Sequence, residues 1–137
     1  PDYINEALAE GFHVEIDVWY IDGNFFLGHD CPDYQVDQQF LKNDKFYCHA
    51  KNMDALNELL RIKNYTNIFS HNSDEFVLTS DGKIWTYPGF PLCESSICCM
   101  PERCNQYPKN CFGICTDYVI KYKLLHLTNI GTSNNIL

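Results

Sequence analysis

Residues 13–20 read His13-Val14-Glu15-Ile16-Asp17-Val18-Trp19-Tyr20, and residues 46–51 read Phe46-Tyr47-Cys48-His49-Ala50-Lys51. In the first stretch Val14, Ile16 and Val18 alternate with His13, Glu15 and Asp17. Successive side chains of a strand point to opposite faces, so this period of two predicts a strand with one apolar face and one acidic face. The second stretch is a further strand, with His49 and Lys51 spaced like Glu15 and Asp17. Between them, Asp22-Gly23 marks a hairpin turn, and Phe25-Phe26-Leu27 a short strand that runs into Gly28-His29-Asp30.

The flanking segments fill in the rest. Tyr3, Ile4, Ala7 and Leu8 have helical spacing over Asp2 to Ala9, with Asp2 as a cap and Gly11 as a stop. Val36 to Leu41 reads as a short helix. Asn52 to Arg61 reads as a helix capped by Asn52, with Met53, Leu56, Leu59 and Leu60 facing in. Short strands are expected at 67–70, 76–78, 84–87, 96–100 and 112–116, separated by loops rich in Gly, Pro, Asn and Ser. The pattern fades beyond Tyr122, and Gly131 to Leu137 reads as a frayed tail. Strand, helix and strand in alternation favour an α/β chain with parallel pairing. The later connections are too short for full crossover helices, so a barrel built this way would be a compressed one.

Composition sets outer bounds. The chain has 137 residues, 45% of them hydrophobic and 15% aromatic, which supplies a real core and excludes wholesale disorder. Ten basic against eighteen acidic residues give a formal charge of -8, which repels nucleic-acid backbones at long range. A small phosphorylated substrate stays compatible, because a bound cation inverts the local field. The sequence shows no membrane-length apolar run and no signal-peptide pattern, so the expected location is cytoplasmic, with secretion as the alternative. Cysteines lie at 31, 48, 93, 98, 99, 104, 111 and 115. Plain thiols, disulfides and a zinc site within 93–115 are all open, and the last two would make a stapled structural module.

Glu15 and Asp17 stand side by side on one strand face. In a half-apolar setting they repel, so at least one would have a raised pKa unless a divalent cation joins them; Mg²⁺ and Ca²⁺ prefer such oxygen ligands. A solvated edge strand is the plainer alternative. Polar, titratable residues recur at strand ends, however: His29, then His49 with Lys51, then His71 in Ser70-His71-Asn72. In α/β sheets and barrels the C-terminal strand ends are where sites are built. Trp85-Thr86-Tyr87 reads as packing rather than as a substrate wall.

The run Val14-Glu15-Ile16-Asp17-Val18-Trp19, then Asp22-Gly23, then Leu27-Gly28-His29-Asp30 resembles the signature of the glycerophosphodiester phosphodiesterases. That family is related to the phosphatidylinositol phospholipase C-like barrels, including the sphingomyelinase D enzymes. Tyr47-Cys48-His49-Ala50-Lys51 resembles a family strand with an acid two residues before a lysine. Phe112-Gly113-Ile114-Cys115-Thr116-Asp117-Tyr118 resembles its last barrel strand. The resemblance spans roughly residues 1–120, densely at 11–30 and thinly from 65 to 110.

It implies a compact TIM-type (β/α) barrel over residues 1–122, apparently lacking its first strand, with a tail over 123–137. It implies a metal-dependent phosphoric diester hydrolase acting on a small or lysophospholipid-type phosphodiester. Glu15 and Asp17 would hold Mg²⁺ or Ca²⁺, His29 would be general acid or base, and Lys51 would stabilise charge on the phosphate. His49 stands where the family has its third acidic ligand, so it would be a metal ligand or a proton carrier. The family's other catalytic histidine lies in a His-Arg pair that would precede Pro1, and the 137 residues alone are expected to turn over little or nothing. A catalytically inactive barrel that binds a phosphorylated ligand or a protein partner is the alternative.

Overall fold

The computed structural model describes residues 2–104, 108–128 and 135–136. It divides the chain into two compact units, Pro1–Ser73 with Thr79–Asp81, and Asp74–Leu78 with Gly82–Leu137.

In the first unit, helix α1 (Asp2–Ala9) precedes strands β1 (Val14–Ile21), β2 (Asn24–Leu27), β3 (Tyr34–Val36) and β4 (Phe46–Ala50), helix α2 (Met53–Leu60) and strand β5 (Asn67–Phe69). The sheet order is β3-β2-β1-β4-β5. Strands β1 and β2 form an antiparallel hairpin, while β1, β4 and β5 run parallel. Asp22 and Gly23 both have positive φ, 49° and 82°, which is how a two-residue hairpin turn matches the twist of its strands. The apolar face of β1 does what its alternation predicts: Ile16 and Val18 enter a core with Cys48, Ala50, Ala55 and Leu59. The opposite face of the same strands is left to Glu15, Asp17 and His49.

Asn52 caps α2 as expected, accepting from the Ala55 amide, and the chain leaves the helix at Arg61. The inward face is narrower than the sequence reading. Ala55 and Leu59 are buried and Leu56 packs against the core, but Met53 and Leu60 are 77% and 48% exposed. An eight-residue helix offers one (i, i+4) stripe to the sheet, and Met53 and Leu60 fall outside it. The helix expected at 36–41 is absent: Val36 ends β3, paired with Phe25, and turns follow.

The second unit holds β6 (Phe76–Leu78), β7 (Ile84–Thr86), β8 (Ser96–Cys99), a 3-10 turn (Pro101–Cys104), β9 (Gly113–Cys115), α3 (Val119–Thr128) and β10 (Asn135–Ile136). The sheet order is β10-β9-β8-β7-β6, parallel except for the β6–β7 pair. Cys98, Cys111, Ile114 and Tyr122 form a core with Leu92 and Leu125. Trp85 is buried in strand β7, consistent with packing. Residues 123–128 continue α3 rather than beginning a tail, and of the frayed tail expected over 131–137 only 135–136 are described.

The TIM-type barrel is overturned. The described strands make two separate five-stranded mixed sheets, not one closed parallel ring. The physical reason lies in the connections. Antiparallel pairing ends each sheet on one side, at β3–β2–β1 and at β6–β7, and among the described residues the links from β7 to β8 and from β8 to β9 carry no α-helix to cover a barrel wall.

Candidate functional site

The parallel register of β1 and β4 makes Glu15 the partner of Tyr47 and Asp17 the partner of His49. Partners on adjacent strands share a face, so Asp17 and His49 meet directly, with Glu15 two residues back on β1. His49 Nδ1 lies 2.8 Å from Asp17 Oδ1 and 4.0 Å from Glu15 Oε1. The ladder continues past β4 through the Lys51 amide, which donates to the Val18 carbonyl at 2.9 Å. That places Lys51 Nζ 3.2 Å from Asp17 Oδ1.

His29 arrives from the other side of β1, from a loop just beyond β2 rather than from the strand itself. Its Nδ1 is 2.6 Å from Asp17 Oδ2. The preceding glycine fixes the approach. The Gly28 amide donates to the Asp17 carbonyl, and its own carbonyl accepts from the Trp19 indole at 2.6 Å. Gly28 has φ of 154°, and a Cβ there would lie 1.9 Å from the Cys31 carbonyl oxygen, so only glycine fits.

A carboxylate only accepts hydrogen bonds, so both histidines present Nδ1–H to Asp17. Each is thereby held in one tautomer, with Nε2 as the exchanging atom. The His29 side chain is 78% exposed, whereas those of His49 and Asp17 are 10% exposed. Burial pushes the Asp17 carboxyl up, but hydrogen bonds from His49 and His29 and the charge of Lys51 outweigh it and hold the group below its ordinary range. The rise expected for at least one of the two carboxylates is thus not found at Asp17. The cationic and donor side chains around it were not legible from strand alternation alone.

Glu15, Asp17 and His49 each bring one ligand atom within 4.8 Å of the others. Among the described residues no other group of three or more His, Cys, Asp or Glu side chains is gathered this way. The cysteines of 93–115 form no such group, and no disulfide joins the described cysteines. The donor set of two carboxylates and one imidazole fits a divalent cation.

Two aromatic neighbours complete the site. Phe69, the β5 partner of His49, stacks on its ring at a centroid distance of 4.9 Å. His71 stacks on His49 at 4.6 Å with 15° between the planes. Its place at a strand end was visible in the sequence, but its contact with His49 was not. Phe69 was missed, although its position opposite His49 follows once β4 and β5 are aligned. A cleft of about 380 Å³ adjoins the cluster, lined by Lys51, Asn52, Met53, Leu56, Ser70 and His71.

No protein-family model matches the chain, and no curated protein or solved structure matches it significantly.

Proposed function

We propose that the first unit carries out metal-assisted hydrolysis of a phosphodiester, small or lysophospholipid-like, at the Glu15–Asp17–His29–His49–Lys51 cluster. One observation carries the reading: the Asp17 carboxylate is shared by His29, His49 and Lys51, with Glu15 alongside. The motif resemblance to the glycerophosphodiester phosphodiesterases supports the same assignment, since Glu15, Asp17, His29 and Lys51 are the residues it singles out.

Glu15, Asp17 and His49 would hold the cation, Mg²⁺ or Ca²⁺. When bound, it supplies positive charge to the non-bridging phosphoryl oxygens. Lys51 adds a second positive charge on the cleft side, where the phosphate would enter. Asp17 orients His29 through Nδ1, leaving Nε2 toward solvent to accept a proton from water or give one to the leaving alcohol. The cleft beside Lys51 and His71 would take the organic part of the diester.

A second reading is non-catalytic binding of a phosphorylated ligand. It is favoured by His49, an imidazole where the resembled family has an acid.

Release of 4-nitrophenol from bis(4-nitrophenyl) phosphate tests the proposal, with Mg²⁺, Ca²⁺ or Mn²⁺ added in turn. In a version extended ahead of Pro1 by a segment carrying a His-Arg pair, the proposal expects cation-dependent turnover that falls at least about 100-fold in His29→Ala and in Glu15→Gln, while the 137 residues alone turn over little or nothing. Equal rates in the wild type and both variants would overturn it. Cation binding with no turnover by the extended version would replace it by the second reading.

A further inference from the structure

The second unit places two thiols opposite each other. Strands β8 and β9 are parallel, and their register makes Cys99 and Cys115 partners. Neighbouring strands lie about 4.7–4.9 Å apart, inside the range of about 4.4–6.8 Å between Cα atoms that a disulfide accepts. Period-two alternation puts both side chains on one face of the sheet. The adjacent pair, Cys98 and Ile114, faces the other way into the core with Cys111 and Tyr122. Cys98 and Cys99 thus point apart, despite being neighbours in sequence.

The surroundings of the two faces differ. The Cys99 thiol is hydrogen-bonded to Cys115 and to Trp85 of β7, and the positive charge of Arg103 lies nearby. The Cys115 bond is the largest influence; with Trp85 and Arg103 it outweighs burial and the charge of Glu102, holding the Cys99 thiol below its ordinary range. Cys98 goes the other way: burial, followed by Cys111 and the other nearby acidic groups, pushes it up to about 12. One strand therefore carries an inert thiol on its core face and an activated one on the opposite face. Cys99 is 4% exposed and Cys115 half-buried, so access suits a small oxidant rather than a bulky one.

We propose that Cys99 and Cys115 are a redox couple, with Cys99 as nucleophile and Cys115 as resolving thiol, which closes to a cross-strand disulfide when a hydroperoxide reaches it. The Cys99 thiolate attacks one peroxide oxygen and the O–O bond breaks. Cys99 becomes a sulfenic acid, and the departing hydroxide takes a proton to become water. The Cys115 sulfur then displaces the hydroxyl from the Cys99 sulfur, and its thiol proton leaves with that hydroxyl as a second water. Two thiols lose two electrons, and hydrogen peroxide gains them as two waters. A dithiol reverses the change by exchange. The couple lies outside the hydrolytic cluster and does not rest on the function proposed for it.

The full chain, treated with hydrogen peroxide, denatured in the presence of an alkylating agent and mapped by mass spectrometry, tests this. The expected result is loss of two of the eight alkylatable thiols, recovery of a peptide pair linked through Cys99 and Cys115, and restoration by dithiothreitol. In Cys115→Ser, dimedone should label Cys99. In Cys99→Ser, it should leave Cys115 unlabelled and the linked pair should be missing. A link between Cys98 and Cys111, or eight thiols still alkylated after peroxide, would overturn the proposal. The wild-type map decides alone if either variant fails to fold.

Discussion

Asp17 concentrates the chemistry of the first unit in one side chain. Its two oxygens take three donors, and those donors hold its carboxyl below the ordinary value of 3.8 against the opposing effect of burial. The sign of the pH dependence follows. An unfolded chain with the higher carboxyl pKa binds more protons in the acid range, so stability rises with pH there. The Asp17 contribution is complete above the unfolded pKa and is lost as pH falls through the folded one. Urea unfolding in chelator between pH 5 and 3 should show this loss, and Asp17→Asn should flatten it; an identical slope in the variant would count against the network. Much of this site was legible at the residue scale. Alternation alone put Glu15 beside Asp17 and His49 in line with Lys51. What alternation cannot show is which charges surround a group, and so the direction of the Asp17 shift had to come from the fold.

Among the elements, Asn52 ties β1 to α2. Asn52 caps α2 through the Ala55 amide, but the same side chain also bonds the Tyr20 backbone: Oδ1 accepts from its amide at 3.2 Å and Nδ2 donates to its carbonyl at 2.9 Å. One residue thus ends the β1 ladder, starts the helix and follows Lys51. Loss of a helix cap alone costs about 0.5–2 kcal/mol. Asn52→Ala should lie at or above the upper part of that range in urea unfolding, because two strand bonds go with the cap; a cost near zero would show that water replaces all three. The sequence made β4 and α2 legible because each carries a strong local signal: an apolar run bounded by polar residues, and a capping asparagine before an apolar stripe. It misread Val36 because strand pairing with Phe25 overrode a weak helical pattern.

At the scale of the molecule, the expected barrel failed where local pattern ceases to inform. Eight of the ten described strands were located to within about two residues, the ordinary uncertainty of element ends; β3 lay where a helix was expected to begin and β10 within the expected tail. Which strands pair is a non-local matter, and the direction of β6 against β7 decided one sheet edge. The site survives that change of fold because it needs only β1, β4 and the turn after β2, all within one sheet. A cation that binds only the folded form should therefore stabilise the first unit, by about 2.7 kcal/mol at 100 times its Kd. The chain has two tryptophans, Trp19 and Trp85. In Trp85→Phe the remaining Trp19 emission reports from beside His29, through its bond to Gly28. Its unfolding transition should move to higher urea when the cation is added. An unchanged transition at saturating cation would mean that the cation does not bind there.

Calorimetric titration of Mg²⁺, Ca²⁺ and Mn²⁺ into the full chain reads the central claim most directly. A single site that weakens at least about tenfold when Glu15 becomes Gln or His49 becomes Ala is the expected result, since each change removes one ligand. No binding of any of the three cations, or binding indifferent to both substitutions, would contradict it.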